Sequence, residues 1–391
     1  MRKKGLLSFI CFQLCAMLVL PSVFAAESKP QPVDLTPNAQ SAVLMDADTG
    51  TVIAEKNKDV KLPPASITKI MTMLLIMEAI DKGSLKMDEK VSVSEYAASM
   101  GGSQIFLEPG EQMTVQEMLK GIAMASGNDA SVAMAEKIAG SEENFVSMMN
   151  ERAQQLGMKN THFSNCNGLP VANHYTTAND IAIMSRELLK HEGITSFTGA
   201  YQDYLRKDSP KPFWLVNTNK LVRFYSGADG LKTGYTSEAK FCLSATAKRD
   251  NLRVIAVVLG EPNTKTRNAE VTKLFDYAFA QYMNYPIFKT GDQLGEFMIN
   301  KGEVSSLPLT AKQNYSMLMK KGTDTANIRH ELVLDTSIKA PVRTGQPIGK
   351  IVVYNGDAVI AEYPLESPAD VAKASWWKLF KRTTSSLFHT D

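Results

Sequence analysis

Two kinds of apolar spacing alternate along the chain. Ser41 to Met45 and Thr51 to Ala54 are short apolar runs on either side of "DADTG", Asp46 to Gly50, and predict a β-hairpin. Helical spacing follows. "PPASITKIMTMLLIMEAI", Pro63 to Ile80, is apolar on nearly every side after two prolines that suit a helix start, so it predicts a helix buried in a core. Thr114-Val115-Gln116-Glu117 has the capping-box pattern and opens a helix to about Ala125. Asn128 to Ala139 reads as a helix closed by Gly140. Glu142 to Leu156 carries Phe145, Met148, Met149, Ala153 and Leu156 on one side and stops at Gly157. Thr177 is placed to cap Ala178 to Lys190. Strand spacing then returns. Lys240 to Lys248 and Leu252 to Gly260 flank "RDN" as a second hairpin, and Asn263-Thr264 precede a last helix to about Phe279.

Helices enclosed between two hairpins predict an α+β domain. One sheet is assembled from both ends of the segment, helices pack on it, and a helical insertion projects from it. From about Tyr285 the texture changes to short alternating runs such as "GKIVVYNGDAVIAEYPL", Gly349 to Leu365, which predict a smaller all-β domain. The polar, proline-bearing stretch before Ser41 reads as a linker. The expected divisions are a leader at 1–25, a linker at 26–40, the main domain at 41–285, the β-rich domain at 286–367 and a tail at 368–391.

Composition adds boundaries. The chain has 391 residues, 44% hydrophobic, with a formal net charge of +2, which is ordinary for a globular protein and argues against a nucleic-acid partner. Arg2, Lys3 and Lys4 precede the apolar stretch Leu6 to Leu20, and Val23-Phe24-Ala25 suits cleavage after Ala25, so an exported protein is expected. Ser8, Gln13 and the short length weigh against an uncleaved span. Cys11 and Cys15 follow Ile10 and Leu14, where a lipoprotein would have a small residue. Cys166 and Cys242 then remain, and whether they pair is open. There is no H-E-x-x-H or C-x-x-C; His162 and His174 read as surface or loop histidines, and no metal or cofactor is expected. In the tail, Trp376, Trp377, Phe380, Leu387 and Phe388 share one helical face and Lys378, Lys381, Arg382 and Ser385 the other, which suits a helix lying in a membrane surface.

Candidate chemistry begins inside the buried helix. Ser66 and Lys69 are three apart, so their Cβ atoms are about 5–6 Å from one another on one face. A serine hydroxyl is a weak nucleophile until a base takes its proton. Lysine can be that base only when neutral, so its ordinary value of about 10.4 must fall by an amount worth about 3–4 kcal/mol. Burial depresses it in that direction. Two further segments carry matching chemistry. "ASGNDA", Ala125 to Ala130, places Ser126 and Asn128 on a turn between helices; Ser126 can relay protons and Asn128 can hold a substrate amide. "LKTGYT", Leu231 to Thr236, sits on or just before an edge strand and offers the Lys232 cation, the Thr233 hydroxyl and a flat backbone at Gly234.

S-x-x-K, S-x-N and K-T-G in this order form the motif set of penicillin-binding proteins and class A β-lactamases, with Gly127 where aspartate commonly stands. The chain resembles the low-molecular-weight penicillin-binding proteins that are serine D-alanyl-D-alanine carboxypeptidases. "SMGGSQIFLEPGE", "KGIAMASGNDASVAMAE" and "DGLKTGYT" are similar to the branch associated with endospore formation.

The resemblance implies a DD-peptidase-like antiparallel sheet flanked by helices. It also implies removal of the terminal D-alanine from peptidoglycan stem peptides, β-lactams as covalent inhibitors, and attachment to the outer face of the cytoplasmic membrane by the tail. By the same resemblance Ser66 is acylated, Lys69 is the base and Ser126 passes the proton to the leaving amine. Asn128 orients the peptide, and Lys232 supports the electrostatics near Ser126. Thr233 binds the terminal carboxylate, and the backbone N–H groups of Ser66 and Tyr235 form the oxyanion hole. Arg267 stands in the first turn of a helix, where the macrodipole disfavours a cation, and the resemblance makes it a second carboxylate partner. Two alternatives have different chemistry. A class A-like β-lactamase needs a deacylating glutamate, usually in E-x-x-L-N, and no such segment is present. A non-catalytic, membrane-tethered cell-wall binding protein would have no reason to bury a lysine.

Overall fold

The computed structural model describes residues 34–388, with side chains to 382. The expected leader and the first part of the linker lie outside the described residues.

The strands of the central sheet, numbered along the chain, are β1 (Ser41–Asp46), β2 (Val52–Lys56), β3 (Ala228–Thr236), β4 (Lys240–Arg249) and β5 (Leu252–Glu261). Their spatial order is β2-β1-β5-β4-β3 and every pairing is antiparallel. The two ends of the segment therefore meet at the β1–β5 pairing, with Ala42 opposite Val258 and Leu44 opposite Ala256. The strands' period of two sorts their side chains into two cores. Val43, Met45, Ile255 and Val257 face the helical side, where α1 (Lys69–Asp81) and α2 (Asn128–Ala139) contribute Ile70, Leu74, Val132 and Met134. Ala42, Leu44, Val254 and Ala256 face α3 (Thr264–Gln281), which supplies Val271, Leu274 and Phe275. A sheet covered on both faces explains why its strands read as nearly continuous apolar runs.

Capping chemistry sets the helix starts. Thr114 and Glu117 form a reciprocal capping box, and Thr177 accepts from the Asp180 N–H. Two expected helices differ from the sequence pattern. The helix from Val115 is α-helical only to Lys120; Gly121–Ala125 is a widened π-turn that runs into the site. In Glu142–Gln155, Phe145, Met149 and Ala153 are buried, but Met148 is 37% exposed, because the stripe at spacing four is too narrow to include it. Short paired strands at Lys90–Ser92 with Gln112–Thr114, and at Gln202–Leu205 with Phe213–Val216, were not anticipated.

The strand Tyr282–Phe288 continues directly from α3 and pairs with Tyr315–Lys320, so the chain passes position 285 within one strand. Beyond it lies a third core built on Phe297, Ile299, Ile348, Ile351, Val353 and Leu365. Asn284 donates to Asp46 at 2.9 Å and Ser316 to Asp48 at 3.1 Å, which tie this domain to β1 and the turn after it.

Both expected outer divisions shift. The stretch before Ser41 is anchored, since Asn38 and Ala39 donate backbone N–H groups to the Glu270 carboxylate. At the other end, Val371 is buried and pairs with Val342, so residues 368–374 complete the β-rich domain and the tail helix starts only at Trp376. Trp376, Trp377 and Phe380 stack together in solvent, and Arg382 donates to the carbonyls of Gly302 and Glu303. The side chains of Ser385, Leu387 and Phe388 are outside those described. No helix among the described residues is long and apolar enough to cross a membrane.

Candidate active site

Pro63 and Pro64 lead into a 3-10 turn, Ala65–Thr68, from which α1 continues. Every residue of α1 from Lys69 to Met77 is buried, as its all-round apolar pattern requires. The Lys69 ammonium position is thereby removed from water. Its Nζ is 3.2 Å from Ser66 Oγ, 2.6 Å from Asn128 Oδ1 and 2.5 Å from the Asn167 carbonyl. Burial holds the Lys69 amine down to about 7; Cys166 and Asp129 pull weakly the other way. A neutral amine has two N–H bonds and one lone pair. The two carbonyl oxygens take the N–H bonds, and the lone pair is left for the Ser66 O–H. That is the arrangement of a general base with its nucleophile.

Two neighbours fix this turn from outside. Gly168 has φ +86°, and a Cβ there would lie 1.9 Å from the Ala65 carbonyl oxygen, so only glycine lets the 165–168 loop close over the turn. Gly234 of β3 faces the same turn: a Cβ there would meet the Pro64 oxygen at 3.0 Å and Ala65 Cβ at 3.2 Å. A side chain at the K-T-G glycine would thus crowd the turn behind the strand. β3 is indeed the sheet edge, with Gly234 opposite Cys242 and Tyr235 opposite Phe241.

The π-turn delivers Ser126 at φ +65°, and Gly127 N–H closes it onto the Gly121 carbonyl at 3.0 Å. Ser126 Oγ is buried and has no hydrogen-bond partner among the described residues. A buried hydroxyl without a partner costs about 1–3 kcal/mol, which marks a position kept for something other than stability. Asn128 opens α2; its Oδ1 accepts from Lys69 and its Nδ2 donates to the Gly101 carbonyl at 2.7 Å. Lys232 is buried, with Nζ 3.0 Å from the Thr233 carbonyl, and its amine is pushed well down by burial and by the Lys69 and Arg267 charges. Thr233 Oγ1 donates to Thr218 Oγ1 at 2.7 Å. Tyr235 is exposed and its ring lies tilted against Phe241, with centroids 4.4 Å apart.

Arg267 is buried, and burial lowers its guanidinium to about 10. Its guanidinium donates to the Asn268 side chain and takes part in none of the ion pairs among the described residues. Ser66, Lys69 and Asn128 are therefore in direct contact, while Lys232 and Arg267 act on one another by charge. Cys166 and Cys242 are both free, buried thiols.

Three groups had no clear signal in the sequence. The Asn167 carbonyl is a backbone atom, which residue identity does not reveal. Thr218 lies in an irregular segment whose backbone N–H reaches the Met124 carbonyl. The fully buried Asp129 carboxylate accepts from the N–H groups of Ile105, Leu107 and Ala130, holding the 105–107 segment against the start of α2. Its one sequence cue was an aspartate in a helix first turn, which has an ordinary explanation. A cavity of about 580 Å³ opens beside the Ser66 turn, lined by Pro64, Ala65, Gly168, His174, Tyr175 and Thr236 among others.

Two family models match the chain: D-alanyl-D-alanine carboxypeptidase over residues 25–263, and the C-terminal domain of penicillin-binding protein 5 over residues 282–373. The D-alanyl-D-alanine carboxypeptidase DacF of Bacillus subtilis is 52% identical over 97% of this chain and 98% of its own length. The crystal structure of penicillin binding protein 5 from Haemophilus influenzae aligns with a TM-score of 0.68 and 32% identity, covering 86% of this chain and 98% of that one. A Streptomyces K15 DD-transpeptidase mutant aligns with a TM-score of 0.58 and 31% identity, covering 62% of this chain and 98% of that one.

Proposed function

The chain belongs to the D-alanyl-D-alanine carboxypeptidase family, whose members are serine-type hydrolases, and we propose that Ser66 is the residue acylated during turnover. The observation that carries this is the Lys69 amine, buried and 3.2 Å from Ser66 Oγ with two other acceptors already engaged. In the proposed cycle Ser66 Oγ attacks the carbonyl of the penultimate D-alanine while Lys69 Nζ takes its proton. The N–H groups of Ser66 and Tyr235 receive the developing oxyanion. Collapse breaks the peptide bond, and Ser126 relays the proton from Lys69 to the departing D-alanine amine. Water then attacks the ester, giving its proton to Lys69, and Ser66 Oγ leaves with a proton returned to it.

Arg267 and Thr233 bind the terminal carboxylate, and Lys232 supplies positive potential beside Ser126. Asn128 holds the base, and its amide becomes available to a substrate by release of the Gly101 carbonyl. β-Lactams acylate the same serine. Among the described residues no carboxylate is hydrogen-bonded to Lys69 or Ser66, which weighs against a β-lactamase reading and for a penicillin adduct that decays slowly.

The substrate is the stem peptide of peptidoglycan, met after export. The stacked Trp376, Trp377 and Phe380 enter a membrane surface and hold the enzyme there. The likeness to DacF supports placing the chain in the endospore-associated branch.

Mass spectrometry with peptide mapping after penicillin treatment tests the nucleophile. The adduct is expected on Ser66, and Ser66→Ala is expected to lose both the adduct and D-alanine release from diacetyl-Lys-D-Ala-D-Ala. An adduct elsewhere, or labelling that persists in Ser66→Ala, overturns the assignment.

A further inference from the structure

A second concave site lies away from the groove. A cavity of about 710 Å³ is lined by the turn after β1, the Ala178–Leu188 helix and the residues following it, the β4–β5 turn, and the strands that open the β-rich domain. That volume is within the ordinary range of ligand sites. Six cations line it: Arg186, Lys190, Lys248, Arg253, Lys289 and Lys312, against the single carboxylate of Asp48. The whole chain carries only +2, so this is a local concentration of charge.

Three of the six are committed elsewhere. Arg186 donates to the carbonyls of Ala47 and Asp48, Arg253 pairs with Asp229 at 2.7 Å, and Lys190 with Glu187 at 2.6 Å. Lys248, Lys289 and Lys312 are exposed and take part in none of the ion pairs among the described residues. Lys248 reaches only the outlying field of Asp48. Some lysines elsewhere do have carboxylate partners, as in Lys120–Asp203, Lys137–Glu89 and Lys350–Glu362, whereas these three share one concavity without one. Three ammonium groups outside the ion pairs, set with Arg186, Lys190 and Arg253 around one concavity that holds a single carboxylate, leave an excess of positive charge that an anion would neutralise.

We infer that the cleft between the catalytic body and the β-rich domain binds an anionic phosphodiester chain, with Lys248, Lys289 and Lys312 as its phosphate partners. Compact ammonium groups on flexible stems suit successive phosphates as point charges. The concave shape favours a chain that can enter over the flat headgroup layer of a bilayer. Such a chain would hold the enzyme within an anionic polymer network while leaving the Ser66 groove free.

The test is calorimetric titration of the full-length protein with a soluble 1,3-linked oligo(glycerol phosphate), repeated between about 50 and 200 mM salt. Binding is expected, weakening as salt rises. The triple variant Lys248→Gln, Lys289→Gln, Lys312→Gln should lose at least about tenfold in affinity, and its log–log salt slope should flatten by about 2, from about 0.7 per phosphate contact. Penicillin labelling of the triple variant should match the unaltered protein and so report an intact fold. If it does not, Lys312→Glu alone carries the test, with a several-fold loss expected. Absence of oligomer binding, or equal binding by the variants, overturns the proposal. So does loss confined to phosphatidylglycerol vesicles with no oligomer binding, which would assign the lysines to a membrane.

Discussion

Cations gather in two regions of this molecule, and they are treated in opposite ways. In the proposed catalytic groove Lys69, Lys232 and Arg267 are 0%, 1% and 4% exposed. In the cleft between the catalytic body and the β-rich domain Lys248, Lys289 and Lys312 stand in solvent. Burial in the groove lowers all three basic groups, and for Lys69 it does so to about 7, the range the proposed role of base requires. In the cleft the lysines keep contact with water, which suits recognition of an anion. The same side chain becomes a proton acceptor or a charge depending on how much water it keeps.

The sharpest way to break the comparison is to remove the buried amine. Lys69→Met should reduce acylation by penicillin by about 10²–10⁴-fold, the ordinary contribution of a positioned base. It should also change how stability depends on pH. The unfolded lysine keeps its proton to about 10.5, the folded one only to about 7. Between those values the unfolded chain binds more protons, so folding stability rises with pH, and below about 7 the cost of the buried charge is at its full value. Subtracting the Lys69→Met curve should isolate a rise of at most about 5 kcal/mol. Equal pH slopes for the two proteins in denaturant titrations would show that the amine is not depressed.

Asp129→Asn should have a smaller effect. The amide cannot accept at both oxygens from the N–H groups of Ile105, Leu107 and Ala130, and losing a charged acceptor costs about 1.5–3 kcal/mol. Thermal unfolding should show that loss, and acylation should fall by less than in Lys69→Met. A fall as large as that of Lys69→Met would give Asp129 a direct part in the chemistry.

The smallest effect on turnover should come from the end of the chain. Removing Trp376 to Asp391 should leave D-alanine release unchanged and release the protein from sedimenting membranes. A cut at Pro368 is a different experiment, because it strips the buried Val371 from the β-rich core. Sedimentation of the shorter protein with membranes would contradict the anchoring proposal.

Much of this was legible in the sequence because it rests on local rules. The capping box at Thr114, the Gly140 stop, the apolar α1 and the second hairpin all follow from period and cap chemistry, and they locate the serine, the lysine and the edge strand. What was hidden is tertiary or backbone in nature. The π-turn before Ser126 depends on closing Gly127 onto Gly121. The second acceptor of Lys69 is a main-chain oxygen. Gly234 reads in the sequence only as a flat stretch of backbone, whereas a side chain there would also crowd Pro64 and Ala65. The tail boundary failed because residues 368–374 pair with strands far away in the chain.

The most direct test of the whole account is the pH dependence of the rate of acylation by penicillin under second-order conditions. With Lys69 as the base, the rate should be low in acid, rise with a midpoint near 7 and level off above it. A rate that does not change across this range, or that rises only near the ordinary lysine value of about 10.4, would contradict it.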